Sequence, residues 1–473
     1  MTLGVGLSTK DQCALAATRL PVSACVSTFE ATIEPTPTLP QLRTPMRKLV
    51  LTTIGTLGDL HPFIALGLAL KQSGFAPVLA VAEDHVAECK HSGIEAVAIF
   101  PSFENVRQSM GLCKEDAVRR IMSSQQLFLE QILLPSLSGS AQALDRLATD
   151  AAAIIATPFV FAAPIIAEKG NIPLVTAVLQ PMGILAPDDP PSTPDFWMTK
   201  HAPVGRLGAG WNSMVYATMR RALKTLYSRQ LDMVRAEHDL APEGAANMLE
   251  PHRRSALILG CYSKLLGRVP PNALPHTEVI GFPFSDNFQS DQGSLDPVLV
   301  EFLRTGPPPL VFTLGTFAVH SAGEFYEQAA LTAGSLGLRA VMLTGGSRGA
   351  VVDGSVIRCG FVPHSLLFPH ACLVVHHGGV GTTGQAMRAG KPQIIVPHMG
   401  DQHDHAYRIE RLGLGLSLKV NRFTASRVSL LIQQLLERSS FRERAQAARD
   451  VVNSEDGLNN AVSSITKILQ VSG

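Results

Sequence analysis

The chain has 473 residues, with 40 Lys and Arg against 39 Asp and Glu, and its formal net charge at pH 7 is +1. This balance argues against nucleic-acid binding as the main task, because proteins that bind polyanions usually carry a basic excess. Hydrophobic residues make up 46% of the chain and charged residues 17%. That apolar fraction excludes intrinsic disorder as the dominant state, and at roughly 150 residues per domain the length predicts two or three domains.

The cysteines and the longest apolar stretch predict a cytoplasmic protein. The seven cysteines are odd in number and widely scattered, which favours reduced thiols over a disulfide framework or a zinc site. The uncharged stretch at residues 151–167 is shorter than the about 20 residues that a membrane span needs, and it contains two prolines. We interpret it as a buried strand, a turn and the start of a helix. Contact with a membrane surface stays open as an alternative.

The first 45 residues differ from the rest of the chain. Their prolines are closely spaced, no hydrophobic period is sustained, and Lys10 and Asp11 lie where a secretory signal would be apolar. We expect a disordered or non-native extension at residues 1–45. Met46 begins the first strand-like run, so translation starting at Met46 is a hypothesis.

From Lys48 onward, short apolar runs alternate with helical segments that carry an apolar face. The first strand is predicted at residues 48–55, a helix follows up to Gly74, and the next strand is predicted at 76–82. This spacing is typical of parallel βαβ units in a doubly wound α/β sheet. Further strands are predicted at 95–99, 153–155, 174–178 and 256–259, and the Pro- and Gly-rich residues 183–212 are predicted to form a long loop or lid.

A polar segment at residues 285–296 interrupts this alternation and predicts an interdomain linker. The predicted organisation is therefore an N-terminal domain at 46–284, the linker, and a C-terminal domain with terminal helices at 297–473. Two doubly wound sheets leave a cleft at the carboxyl ends of their strands, where ligands bind in such folds. Strands of the second domain are predicted at 309–315, 339–345, 355–362, 372–377 and 392–397.

The most informative segment reads VHHGGVGTTGQAMRAG, at residues 375–390. A strand ends at His376 and His377, and a glycine-rich turn leads into a helix. Such a turn lets backbone N–H groups approach a ligand, and the helix N-terminus favours an anion. Thr382 and Thr383 add hydroxyl groups and His376 adds a ring N–H, so the segment predicts phosphate binding. A turn that needs glycines only for packing is the alternative.

These residues resemble the C-terminal signature of nucleotide-sugar-dependent glycosyltransferases of the GT-B type, in the branch with glycopeptide, sterol and rhamnolipid enzymes. The signature continues through residues 390–392 and 397–402. The resemblance implies an α/β fold with two Rossmann-like doubly wound domains facing across a cleft. It also implies a UDP- or dTDP-sugar as co-substrate and no cofactor, with Asp401 and Gln402 on the sugar hydroxyls. The donor-binding residues that it implies are Gly315, Thr316, Val362, His376, Gly379, Gly381, Thr382, Thr383, Asp401 and Gln402.

The segment GTLGDLHPFIALG, at residues 55–67, resembles the entry into the first helix in the same family. The Asp at this place acts there as general base, so Asp59 is the predicted catalytic residue. An acceptor hydroxyl needs a positioned base as it attacks the anomeric carbon, and the helix dipole is expected to keep Asp59 ionised. The alternative is that Asp59 only caps the helix. His61 is the rival base and is assigned to the wall of the acceptor site.

A metal site also has to be considered, because five potential ligands crowd into eight positions. The resemblance implies that none is needed, since the family neutralises the leaving diphosphate with a helix dipole and side chains. We interpret most of the histidines as lining the cleft. The five residues are His398, Asp401, His403, Asp404 and His405.

The acceptor is predicted to be hydrophobic, because residues 151–187 carry only Glu168 and Lys169 as charges. Phe159 and Met182 are candidate acceptor-binding residues together with His61, and an ordinary buried core is the alternative. Further segments resemble a rhamnosyltransferase that acts on hydroxy-fatty-acid lipids. The chain departs from that enzyme at His377, where the enzyme has Pro.

Together these patterns predict an inverting, metal-independent hexosyltransferase with a UDP- or dTDP-sugar donor. The predicted acceptor is a hydroxyl group on a hydroxy-fatty-acid lipid, a sterol or a polyketide-like natural product. No nucleic-acid partner is expected. The alternatives are a sugar-nucleotide epimerase or hydrolase on the same scaffold, and a non-catalytic protein that binds nucleotide sugars.

Overall fold

The structure, a computed structural model, describes residues 46–471 except positions 204, 246, 247, 249, 285–294, 317, 347 and 348. The predicted extension at 1–45 and most of the predicted linker at 285–296 therefore lie outside the described residues. The described residues contain two seven-stranded sheets.

The first sheet is formed by seven strands between residues 48 and 279. Its strands are β1 (Lys48–Thr52), β2 (Ala76–Ala82), β3 (Glu95–Phe100), β4 (Ala151–Ala156), β5 (Leu174–Val178), β6 (Leu257–Gly260) and β7 (Thr277–Val279). They lie in the order β3-β2-β1-β4-β5-β6-β7, and every neighbouring pair is parallel. Val50 pairs with Val78 on one side and with Ile154 on the other. The central strands are buried on both faces, which explains their continuous apolar sequences.

The second sheet repeats the arrangement. Its strands are β8 (Leu310–Thr313), β9 (Ala340–Leu343), β10 (Val351–Asp353), β11 (Val356–Cys359), β12 (Leu373–His376), β13 (Gln393–Ile395) and β14 (Gly415–Ser417). They lie in the order β10-β11-β9-β8-β12-β13-β14. All pairs are parallel except β10 with β11, which form an antiparallel edge. The predicted doubly wound α/β architecture is confirmed.

Sixteen α-helices connect and cover these strands in the described part of the chain. In the N-terminal half they are α1 (Leu57–Gln72), α2 (Val86–His91), α3 (Phe103–Met110), α4 (Lys114–Ser123), α5 (Gln125–Phe128), α6 (Leu137–Ala148), α7 (Ala162–Gly170) and α8 (Arg206–Glu237). In the C-terminal half they are α9 (Pro297–Arg304), α10 (Phe325–Leu336), α11 (His364–Leu367), α12 (Val380–Arg388), α13 (Asp401–Leu412), α14 (Ala425–Glu437), α15 (Ser439–Ser454) and α16 (Gly457–Val471).

The last helix, α16, packs on the first sheet and not on the second. Its buried residues Ala461, Ile465 and Leu469 join the hydrophobic core built by α1 and β1. Ser464 Oγ also donates to Glu278 Oε2 of β7 at 2.6 Å. The sequence placed this helix with the C-terminal domain, because an apolar stripe specifies a buried face but not the sheet that covers it.

Two local predictions meet different outcomes. The stretch at residues 151–167 divides into β4, a turn and the start of α7, as expected. The long loop predicted at 183–212 is wrong for residues 206–212, because α8 already begins at Arg206. Within the described residues, none of the helices combines the length and the apolar character that crossing a membrane requires.

Candidate active site

Asp59 lies in the first turn of α1, just after the carboxyl end of β1. The hydroxyl of Thr56 caps the helix by accepting the N–H of Gly58 at 3.1 Å. Asp59 Oδ2 reaches back and accepts the N–H of Thr56 at 2.8 Å. This is a capping box, in which the cap and the residue three positions later satisfy each other's backbone groups. Asp59 is therefore not the cap itself, and among the described residues no hydrogen bond uses its Oδ1.

The acidity of Asp59 differs from the expectation based on the helix dipole. Burial raises the pKa of Asp59 to about 6, the hydrogen bond from the Thr56 N–H opposes this rise, and the charge of Asp401 adds to it. Desolvation thus outweighs the stabilisation of the carboxylate by the helix N-terminus, so the helix dipole does not keep the pKa of Asp59 at its usual value, although most of the carboxyl group is still ionised at pH 7. A carboxylate with a pKa closer to neutrality is a better proton acceptor at neutral pH.

His376 is fully buried at the end of β12. Its Nδ1 accepts the N–H of Gly378 at 3.1 Å, so its Nε2 carries the proton and donates to Gln393 Oε1 at 2.8 Å. No N–H remains for a phosphate, so the prediction that His376 binds the donor diphosphate is wrong. The side chain instead fixes the start of the glycine turn from inside the sheet.

The neighbouring His377 lies where the prediction placed His376. A Cβ on Gly315 would come 2.5 Å from its Cε1, and a Cβ on Gly379 would come 2.5 Å from its Nε2. The ring therefore lies between two glycine turns, and its buried Nδ1 has no partner among the described residues. Burial lowers the pKa of His377 well below the usual value, so the ring is neutral. Side chains alternate across a strand, so two adjacent histidines are expected to point to opposite faces, but the alternation alone does not indicate which of them faces the cleft.

Helix α12 begins directly after this turn, with Gly379 as its N-cap. The N–H of Thr383 donates to Gly379 O at 2.9 Å and is the first bond inside the helix. The preceding N–H groups, from Gly381 and Thr382, have no acceptor within the helix. Thr382 and Thr383 are buried, and Thr383 Oγ1 has no partner among the described residues. The turn can thus offer several donors to an anion.

Helix α13 begins at Asp401 and brings the two predicted sugar-binding residues to the same region. Burial raises the pKa of Asp401, and the ring of His405, 3.8 Å away, opposes that rise. Gln402 Oε1 accepts the N–H groups of His398 at 2.8 Å and Met399 at 3.2 Å. Only the NH2 group of Gln402 is therefore left for a sugar hydroxyl.

The remaining predicted donor residues lie at strand ends of the second sheet. Gly315 follows β8 with φ of 70°, and its N–H donates to Thr313 Oγ1 at 3.2 Å. Thr316 is the next residue and is half-buried. The side chain of Val362 is buried after β11. Among the described residues, no hydrogen bond uses the backbone N–H or C=O of Val362. Both groups are therefore left to form hydrogen bonds with the edge of the donor's nucleobase.

Residues of both sheets meet in one cleft. The charge of Asp401 contributes to the raised pKa of Asp59. The pKa of His364 is lowered to about 3, mainly by burial and further by His376 and by His61 of the first sheet. Because Coulomb interactions fall off with distance, these two pairs place α1 opposite α11 and α13. Asp59 of α1 and Asp401 of α13 are thus close enough for their charges to interact.

The predicted acceptor residues lie at the same edge of the first sheet. Phe159 follows β4 and is 41% exposed, and Met182 follows β5, the neighbouring strand. Met182 is half-buried and packs on the cluster formed by Leu185, Phe196 and Tyr216. His61 is half-buried on α1, and burial lowers its pKa. All three residues therefore lie at or near the carboxyl ends of strands of the first sheet.

Two of the five potential metal ligands near the start of α13, Asp404 and His405, make other contacts through their side chains. Asp404 Oδ1 accepts the N–H of Ser192 at 2.9 Å, and its Oδ2 accepts from Arg408 Nε at 2.7 Å. His405 Nδ1 donates to Gly378 O at 2.8 Å. Within the part of the chain that the structure describes, no three His, Cys, Asp or Glu side chains are close enough to share a metal ion.

Comparison with known proteins identifies relatives of this arrangement. Residues 341–466 match the family described as "Erythromycin biosynthesis protein CIII-like, C-terminal domain". A sterol 3-beta-glucosyltransferase of Komagataella phaffii is 26% identical over 438 residues, which are 88% of this chain and 34% of that protein. The O-mycaminosyltylonolide 6-deoxyallosyltransferase of Streptomyces fradiae is 27% identical over 439 residues, 88% of this chain and 96% of that protein. The chain thus spans about a third of the length of the sterol enzymes that it matches.

Solved structures share the fold. A calicheamicin glycosyltransferase superposes with a TM-score of 0.64 at 17% identity, over 90% of this chain and 99% of that one. A spinosyn rhamnosyltransferase in complex with thymidine diphosphate superposes with a TM-score of 0.60 at 17% identity, over 89% of this chain and all of the other. The GT-B fold is therefore confirmed, and the sequence relatives support glycosyltransferase activity.

Proposed function

The chain has the GT-B fold and resembles nucleotide-sugar-dependent glycosyltransferases, and on this premise we propose that it is an inverting hexosyltransferase. The donor is a UDP- or dTDP-sugar, and the acceptor is a hydroxyl group of a hydrophobic molecule. The observation that carries the proposal is the pair of carboxyl groups, Asp59 and Asp401, that interact across the cleft from the two sheets. The N-terminal side of the cleft then holds the general base, and the C-terminal side holds the donor sugar.

The C-terminal side binds the donor. The nucleobase of the donor stacks at residues 361–364, with its edge on the backbone of Val362. The diphosphate lies on the glycine turn between Gly315 and Gly379. The neutral ring of His377 and the free N–H groups at the start of α12 donate to the phosphate oxygens. Because these donors are fixed in place before the reaction, they stabilise the negative charge that develops on the leaving diphosphate. No metal ion has a part in this mechanism.

The N-terminal side supplies the base. Asp59 takes the proton of the acceptor hydroxyl through Oδ1 while its Oδ2 stays on the Thr56 N–H. The acceptor oxygen then attacks C1 of the sugar from the face opposite the diphosphate, so the C1–O bond to the diphosphate breaks as the new bond forms. A single displacement of this kind inverts the configuration at C1.

The acceptor class follows from the relatives and from the wall of the cleft. Two relatives are named for sterol and macrolide substrates, both large hydrophobic alcohols. Phe159 and the Met182 region supply apolar surface at the edge of the first sheet. We therefore place sterols and polyketide-like alcohols first and hydroxy-fatty-acid lipids second.

The face of α8 supports a further part of the proposal, contact with an anionic membrane surface. Residues 206–231 contain five basic residues and no Asp or Glu. Leu207, Met214 and Arg221 recur every seven residues and are all exposed, so they lie on one stripe of the helix. Sedimentation with phosphatidylserine vesicles checks this, and failure to co-sediment at low salt contradicts it.

Turnover with defined substrates tests the main proposal. UDP- and dTDP-glucose are incubated with a sterol, a macrolide aglycone and a hydroxy-fatty acid, and the products are analysed by mass spectrometry and by NMR of the anomeric proton. Transfer with inversion is expected, and Asp59→Asn is expected to lower kcat by about 10²–10⁴-fold with nucleotide affinity unchanged. Release of free sugar at the same rate without acceptor favours a hydrolase, and retention of configuration overturns the mechanism.

A further inference from the structure

Helix α13 holds a segment of the N-terminal domain through an ionic network in which Asp404 and Arg408 are buried and Asp189 and Arg411 are partly exposed. Arg408 donates to Asp404 Oδ2 at 2.7 Å within its own helix and to Asp189 Oδ2 at 2.5 Å, 219 residues away. The same guanidinium donates to Leu266 O at 2.7 Å. Arg408 is 3% exposed and Asp404 is fully buried. One side chain therefore links three separate parts of the chain.

The segment held in this way is residues 184–193, which we name the acceptor-side segment because it begins two residues after Met182. Asp404 accepts the N–H of Ser192, and Arg411 donates to Asp189 Oδ1 at 2.6 Å. On its other side the segment is held by α8, since Tyr216 donates to Ala186 O at 3.1 Å. The acceptor-side segment is therefore held by hydrogen bonds to α8 on one side and to α13 on the other.

Burying the charged side chains of Asp404 and Arg408 costs more free energy than packing apolar side chains in the same place. Burying charged groups is expensive unless every partner is present, and an apolar replacement often stabilises a protein more. Two Asp and two Arg balance in charge here, and both oxygens of Asp404 and of Asp189 have partners. Buried ionic groups with full geometry are best attested where they fix one element in register with another. In this chain the two elements are the acceptor-side segment and α13.

We propose that Asp189, Asp404 and Arg408 are positioning residues that couple the acceptor side of the cleft to the donor side. Asp401 and Gln402 form the first turn of α13, and Asp404 and Arg408 lie one and two turns later. A shift of α13 therefore moves the donor-sugar contacts and the acceptor-side segment together. This inference rests on the proposed function for the meaning of the two sides, but the coupling itself is a property of the fold.

Hydrogen–deuterium exchange measures the coupling without any substrate. In the full chain, Arg408→Met is expected to speed amide exchange about fivefold or more both in residues 184–193 and in the donor-side residues 398–402, in line with typical coupling strengths. The matched control is Arg220→Met, which removes a two-bond ion pair with Glu250 inside the N-terminal domain. It is expected to change neither segment. If Arg408→Met does not fold, Asp189→Asn is measured in its place.

Nucleotide addition gives the reciprocal experiment. When UDP or dTDP protects residues 376–383 from exchange, the acceptor-side segment is expected to slow as well in the natural chain and not in Arg408→Met. Loosening of residues 184–193 alone in Arg408→Met, with residues 398–402 unchanged, overturns the coupling. A chain that binds neither nucleotide instead contradicts the proposed function, and the coupling is then decided by the substrate-free exchange.

Discussion

The Cα of Gly55 lies against the carboxyl group of Asp59, so closely that a Cβ on Gly55 would come 2.3 Å from Asp59 Oδ2. Gly55 also has φ of 139°, a conformation that other residues rarely adopt. The carboxylate of Asp59 thus packs against the backbone of Gly55, where a side chain would clash with it. Gly55 therefore helps to position the proposed general base.

The variant Gly55→Ala is therefore expected to displace Asp59. Because a misplacement of about 1 Å can cost about 10²-fold in rate, we expect kcat to fall by about that factor while nucleotide affinity is retained. Steady-state kinetics and nucleotide titration measure both. The control is Gly58→Ala in the same turn, where a Cβ would meet only Thr56 Oγ1 at 3.3 Å. Equal losses in the two variants would contradict the special role of Gly55.

The pH dependence of the reaction reports on Asp59. A general base acts only when ionised, so kcat/KM is expected to rise with pH through about 6 and to level off above it. After burial, the charge of Asp401 is a further cause of this raised pKa. In Asp401→Asn the acidic limb is therefore expected to move to lower pH, in addition to weaker sugar binding. In Asp353→Asn, which removes an exposed carboxylate of the second sheet, the limb is expected to stay in place.

The sequence was sufficient for most of the fold because the central strands of both sheets are parallel and buried on two faces. Such strands are continuous apolar runs, and glycines or prolines mark their ends. The strands that were missed, β7, β10 and β14, have three residues each. All three residues of β10 are exposed, so neither length nor hydrophobicity could distinguish it from a loop.

The sequence motifs predicted the turns and helix starts of the candidate site, but not the orientation of its side chains. The segment from His376 to Gln402 specifies a glycine turn and two helix starts, but not which of two adjacent histidines points inward. That choice depends on the amide of Gln393, which offers its oxygen to one ring inside the sheet. The ion pair between Arg408 and Asp189 could not be predicted from the sequence either, because the two residues are 219 positions apart and no local pattern connects them.

The two histidines are expected to respond differently to truncation. His377→Ala removes a ring from between the glycine turns and leaves the sheet intact, so nucleotide affinity should fall about tenfold or more, the value of a hydrogen bond to a charged group. His376→Ala removes a buried ring and leaves the Gln393 amide oxygen unpaired. We expect that variant to lose about 2–4 kcal/mol of unfolding free energy. Calorimetric titration with UDP or dTDP and urea unfolding separate the two effects, and the reverse pattern would restore His376 as the ligand.

The raised pKa of Asp59 also makes a prediction about stability. An ordinary Asp in the unfolded chain ionises near pH 3.9, whereas Asp59 in the folded chain ionises at about 6. Protonation is therefore favoured by folding. Below pH 4 both states are neutral and the group costs nothing, and above pH 6 the folded chain carries a buried charge that the unfolded chain exposes to water. The natural chain is thus destabilised by its own base at neutral pH.

Asp59→Asn removes this cost and keeps an oxygen that can accept from the Thr56 N–H, so the capping box survives. We expect the variant to melt at a higher temperature than the natural chain at pH 7.5, and the difference to shrink as the pH falls from 6 to 4. Thermal unfolding at four or five pH values measures this difference. The control is Asp59→Ala, which removes the charge and also the hydrogen bond to the cap, and which should gain less. A gap that stays constant with pH would mean that Asp59 titrates normally, and the acidic limb of the rate profile would then need another residue.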